Sequence, residues 1–164
     1  MDSPQSTLIP LAYLRGQGVD AGVRRFDVGV GLHGDHVGGE RDAARALVAA
    51  DVDAACMIDG NHLLFAREGT LPAGSTRILA QTPVYDHCTM TIVDTAPAAV
   101  ADRFVELLLS MSYADPEVRP LLDLEDLRVW KEGRTSGFGP LDAAVDEFGF
   151  YDAAGEVTAA HYVP

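Results

Sequence analysis

The sequence predicts an α/β fold in which a mostly parallel sheet is flanked by helices. Three observations predict it. Segments of helical periodicity alternate with short apolar runs, in the order strand, loop, helix, strand, helix. The run over residues 52–58 (Val-Asp-Ala-Ala-Cys-Met-Ile) is nearly continuous in apolar character, as a strand buried on both faces of a parallel sheet would be. With 48% hydrophobic and 23% charged residues in 164, the chain has the composition of one ordinary folded domain and lies far from the charge-rich corner where chains stay disordered.

Each element has its own local reason. Ser3, Gln5, Ser6 and Thr7 precede Leu8, Ile9, Leu11, Ala12 and Leu14, with Pro10 near the first turn and Gly16 and Gly18 behind, so a helix with a polar start is expected over residues 3–14. Residues 23–30 alternate and then turn apolar at Phe26, Val28 and Val30, which reads as a strand. After the glycine-rich stretch 31–39, Ala43, Ala44, Ala46, Leu47 and Val48 fall at helical spacing within 40–50. The strand at 52–58 is followed by Asp59-Gly60-Asn61 as turn and helix cap, then a short helix over 62–67, which completes one βαβ unit. Residues 77–81 and 89–93 read as two further strands joined by the polar crossover 82–87. Pro97 opens the clearest helix, whose apolar face carries Ala98, Val100, Phe104, Val105, Leu107 and Leu108 while Asp102, Arg103 and Glu106 stay wet. Shorter helices are expected over 116–122 and 139–148, joined by the polar loop 131–137.

Charge and length exclude several functions. Twelve Lys+Arg against 25 Asp+Glu give a net charge of −13, which repels a phosphate backbone and leaves no basic stripe, so a nucleic-acid partner is not expected. The longest apolar stretches, near residues 8–14 and 105–109, fall far short of the roughly 20 residues that cross a bilayer. The first six residues are polar and acidic and show no export signal, which points either to the cytosol or to a missing beginning. Cys56 and Cys88 fit no Cys-x-x-Cys spacing and read as small buried residues, with a single disulfide as the alternative.

Four segments carry candidate chemistry, each beside a plainer reading. The hydroxyls and free N–H groups at Ser3-Pro4-Gln5-Ser6-Thr7 make an anion pocket or simply an N-cap. His33-Gly34-Asp35-His36 brings two imidazoles and a carboxylate together, enough to begin a zinc site if Glu40, His62 or His87 completes it, or to form a solvated polar loop. Asp59-Gly60-Asn61-His62 follows an apolar strand, where ligands of open α/β sheets bind, and is equally a capped turn. Tyr85-Asp86-His87 offers a phenol, a carboxylate and an imidazole, or a polar crossover. No nucleophile motif or phosphate-binding Gly-Lys loop is present, and the one lysine is Lys131.

Residues 2–10, then His33 and Gly38-Gly39-Glu40-Arg41-Asp42-Ala43-Ala44-Arg45-Ala46-Leu47, then Asp51-Val52-Asp53-Ala54-Ala55 resemble, in that order, the phosphate/phosphonate-binding components of ABC importers, of the type II periplasmic binding protein superfamily. The resemblance extends over roughly residues 2–151 and implies one lobe of a two-lobed fold with C-terminal helices, most of the first lobe being absent. It implies an α/β ligand-binding lobe at 1–88, a crossover strand and helices returning to the first lobe at 89–151, and a tail at 152–164. The implied activity is binding without turnover, with no cofactor. The ligand is a small oxyanion held by Gln5, Ser6, Thr7, His33, His36, Glu40, Asp59, Asn61 and Tyr85. The implied partners are that anionic solute and a transporter permease, in a periplasmic or extracytoplasmic location, and the surface left by a missing lobe implies homo-oligomers. Two departures from the family pattern stand out: Leu8 follows Thr7 where glycine is usual, and Glu40 stands where relatives carry histidine. A carboxylate there disfavours an anion unless it accepts from a protonated ligand or an amine. The competing readings are a zinc-dependent enzyme built on His33, Asp35 and His36, and a partner-docking remnant that binds neither metal nor anion.

Overall fold

A computed structural model describes residues 4–26, 38–86, 89–124 and 127–158. Its contacts divide the chain into two compact units, Met1–Tyr85 with Phe138–Pro164, and Asp86–Gly137.

In the first unit a wide π-helical turn, Pro4–Leu8, runs directly into α1, Ile9–Gly16. Pro10 sits in the first turn of α1, and Gly18 stops the chain in the left-handed region at φ 76°. Helix α2 spans Gly38–Val48 and α3 spans Asp59–Glu68, which Gly69 ends with φ 87°. Ala44 of α2 and Phe65 of α3 are fully buried against each other, with Leu71 and the half-buried Met57 closing the cluster. Arg41 fastens the same pair of helices from outside, its Nε donating to Glu68 Oε1 at 2.8 Å with the guanidinium 5.3 Å above the Phe65 ring. A second core unites opposite ends of the sequence. Leu8 and Ile9 pack against Ala144 of α6, Gly139–Glu147, and against Phe150, with Ala12, Tyr85, Leu141, Val145 and Phe148 around them.

The second unit carries α4, Ala98–Ser110, and α5, Arg119–Leu124. Its ends are pinned together: the Asp86 N–H donates to the Gly137 carbonyl at 2.9 Å, and Arg134 grips both Asp86 carboxylate oxygens at 2.6 and 2.7 Å. Leu122 is buried, while Tyr113 donates to Asp123 at 2.7 Å beneath the guanidinium groups of Arg119 and Arg128. No residue of α4 is buried, so its apolar face remains open.

The helices agree with the periodicity, but among the described residues no sheet forms. Among the described residues there is no strand, only an isolated antiparallel bridge between Tyr151 and Val157. Residues 54–58, 76–86 and 89–93 belong to no regular element, which corrects the expected strands at 52–58, 77–81 and 89–93 and with them the mostly parallel sheet. A parallel ladder requires hydrogen-bonded neighbours and helices over both faces. Among the described residues these segments form no ladder, and Ile78 and Leu79 are 62% and 68% exposed. The expected strand at 23–30 lies outside the described residues beyond Phe26.

Candidate functional site

Glu40 organises the most polar part of the first unit. It lies in the first turn of α2, only 8% exposed, and its carboxylate draws three donors from two other segments. Ser6 Oγ, in the π-helical turn before α1, donates to Oε1 at 2.7 Å. Asn61 Nδ2, 4% exposed in the first turn of α3, donates to Oε2 at 2.7 Å, and the N–H of Ile58, the residue that caps α3, donates to the same oxygen at 3.2 Å. The π-helical turn before α1 and the start of α3 thus supply the donors to one acid at the start of α2. Each helix start carries unsatisfied N–H groups and the positive end of its dipole, so the arrangement stabilises negative charge with neutral donors. Among the described residues Glu40 takes part in no ion pair, since Arg41 beside it turns to Glu68.

Local sequence explains the convergence. The paired glycines Gly38 and Gly39 let α2 begin without side-chain bulk ahead of Glu40. Asp59 settles the start of α3 by accepting from the Gly60 N–H at 2.9 Å. Asn61 is therefore spared for a tertiary role and is not the cap that its position after Asp59-Gly60 suggests. Cys56 lies on the approach to this cluster as a free, partly buried thiol. Burial, and secondarily the Glu40 carboxylate, push its pKa up and hold it as an unreactive thiol.

The structure joins three of the residues singled out from the sequence, Ser6, Glu40 and Asn61, in one hydrogen-bonded group. It joins two others separately: Tyr85 donates through its hydroxyl to Gln5 Oε1 at 3.4 Å. Thr7 is half-buried in the same π-helical turn, and Asp59 stays exposed, occupied with its own turn. His33, Asp35, His36, His87 and Cys88 lie outside the described residues. Among the described residues no three His, Cys, Asp or Glu side chains gather as metal ligands. The Ile58 N–H was not among the sequence candidates. A backbone donor leaves no mark on residue type, and only its place just ahead of a helix start pointed to it.

Among the described residues no helix is long and apolar enough to cross a membrane. The family model for the phosphonate-binding, periplasmic substrate-binding protein of ABC transporters matches residues 1–145. No curated protein and no solved structure matches the chain.

Proposed function

Because the chain belongs to the phosphonate family of ABC-transporter periplasmic substrate-binding proteins, we propose that it binds a small phosphorus oxyanion and does so at the cluster around Ser6 and Asn61. The family serves transport and is periplasmic, and its fold is that of periplasmic binding proteins. The observation that carries the reading is the meeting of two helical starts, those of the π-helical turn and of α3, on the buried Glu40 carboxylate, because the same donors serve a phosphoryl oxygen. Ser6 and Asn61 are the side-chain donors in this reading and the Ile58 N–H the backbone donor. Gln5, Thr7, Asp59 and Tyr85 contribute beside them, and His33 and His36, outside the described residues, are further donors in this reading. A permease is the partner that receives the solute. The family match lends no support to a zinc enzyme.

A thermal-shift screen against inorganic phosphate, methylphosphonate, 2-aminoethylphosphonate and sulfate tests the proposal. Ligand at about 100 times its dissociation constant raises stability by about 2.7 kcal/mol. The expected result is a rise in melting temperature with a phosphorus oxyanion that sulfate does not reproduce and that Ser6→Ala and Asn61→Ala each reduce. A flat response to every phosphorus oxyanion, at concentrations into the millimolar range, refutes it.

A further inference from the structure

Among the described residues Glu40 is the one buried acidic side chain, and no cation among them pairs with it. Its two oxygens accept from Ser6 on one side and from Asn61 and the Ile58 N–H on the other. An ionised carboxylate and a phosphonate oxygen are equivalent acceptors to such donors. The carboxylate therefore takes up the donors on which the proposed ligand depends. We propose that Glu40 is the specificity-determining residue of this site, an internal anion that holds the Ser6, Ile58 and Asn61 donors until an incoming oxyanion displaces it.

The inference rests on the oxyanion-binding reading and makes that reading more exacting. Two like charges a few ångströms apart in a partly buried site weaken binding by roughly ten- to several hundredfold. A second negative charge on the ligand adds to the penalty. Monoanionic ligands are accordingly favoured over dianions, and removing the Glu40 charge reverses the order. Glu40→Gln keeps the length and the acceptor oxygen, removes the charge and adds an N–H that itself donates to a ligand oxygen. Glu40→Asp keeps the charge and shortens the reach.

The test is calorimetric titration of inorganic phosphate and of methylphosphonate into the wild-type chain, Glu40→Gln and Glu40→Asp, at neutral pH and fixed ionic strength. The expected result is that Glu40→Gln binds at least about tenfold more tightly than wild type, that Glu40→Asp shows no gain, and that adding Ser6→Ala to Glu40→Gln reduces the gain. Wild-type binding that Glu40→Gln leaves unchanged or weakens overturns the inference and leaves the binding reading intact. An absence of binding by every protein, Glu40→Gln included, overturns both. A measurement on the wild-type chain alone guards against a variant that does not fold. The Ile58 amide and the Asn61 side-chain amide resonances are expected to move only at millimolar phosphate, and movement at micromolar phosphate overturns the inference.

Discussion

Replacing Asn61 by leucine removes a donor from a buried charge while keeping the branch at Cγ, and the cost of the lost bond follows from the geometry. The Glu40 carboxylate is 8% exposed, and Asn61 supplies the shorter of the two bonds to Oε2, 2.7 Å against 3.2 Å from the Ile58 N–H. A hydrogen bond to a charged group contributes about 1.5–3 kcal/mol, and a neutral pair about 0.5–1.5 kcal/mol. The Ile58 bond already lies at the long end of the useful range and does not compensate. Asn61→Leu is therefore expected to cost about 2 kcal/mol in the wild-type background and about 1 kcal/mol in Glu40→Gln, where the acceptor is neutral, a coupling of about 1 kcal/mol. Urea denaturation followed by far-ultraviolet circular dichroism measures all four corners of this cycle. With a slope of about 1–3 kcal/mol per molar urea, the single variant moves the midpoint by about 1 M. A cost below about 0.5 kcal/mol, or the same cost in both backgrounds, refutes the view that Asn61 serves the charge on Glu40.

Phe65 is fully buried between Ala44 and Leu71, so Phe65→Ala is expected to cost about 3–5 kcal/mol; the neighbouring Leu63→Ala, on a side chain 64% exposed, stays near 0.5 kcal/mol, and equal losses in urea denaturation count against the assigned core. The Arg134 guanidinium beside Asp86, and Arg41 beside Glu68, hold those carboxyls below their ordinary values of 3.8 and 4.5. Their stabilisation is thus fully present above those values and is lost as pH falls through the lowered ones. Trp130, the single tryptophan, lies within Asp86–Gly137, so its fluorescence should report acid loosening of that unit, and Arg134→Leu should abolish the contribution of Asp86; an unchanged acid profile in that variant refutes the pairing. We propose that the open apolar face of α4, with Val100, Phe104 and Leu107 exposed, drives self-association that Phe104→Glu relieves; a monomer by light scattering at micromolar wild-type protein refutes this.

The helices were legible and the pairings were not. Pro97, the apolar positions of the next three turns and the charges between them mark α4 by local chemistry alone, and the alanine-rich spacing after Gly39 does the same for α2. The apolar runs at 52–58, 77–81 and 89–93 state only that these segments suit a buried, extended environment. Whether a neighbour lies alongside them is a matter of tertiary structure that no short window contains. The site divides in the same way. Ser6, Glu40 and Asn61 were each visible as polar residues at helix starts, yet their shared bond partners lie 34 and 21 positions apart. The spacing of Asp59-Gly60-Asn61 favoured a cap because such side chains usually serve nearby backbone. Here Asp59 meets that need and Asn61 serves Glu40 across the fold.

The packing of Leu8 and Ile9 against Ala144 and Phe150 bears on how the chain is made. A ribosome delivers residues from the N-terminus, so the two apolar side chains emerge well before Ala144 and Phe150, which cover them. Between those moments everything from α2 to α5 is synthesised while Leu8 and Ile9 lack the cover of Ala144 and Phe150. Closing so long a loop adds little to the equilibrium cost but delays the contact, because loop entropy must be met before the apolar faces join. Helix α1 is thus secured only after α6 has been made, and a nascent chain arrested anywhere between the two presents the same incompletely covered pair.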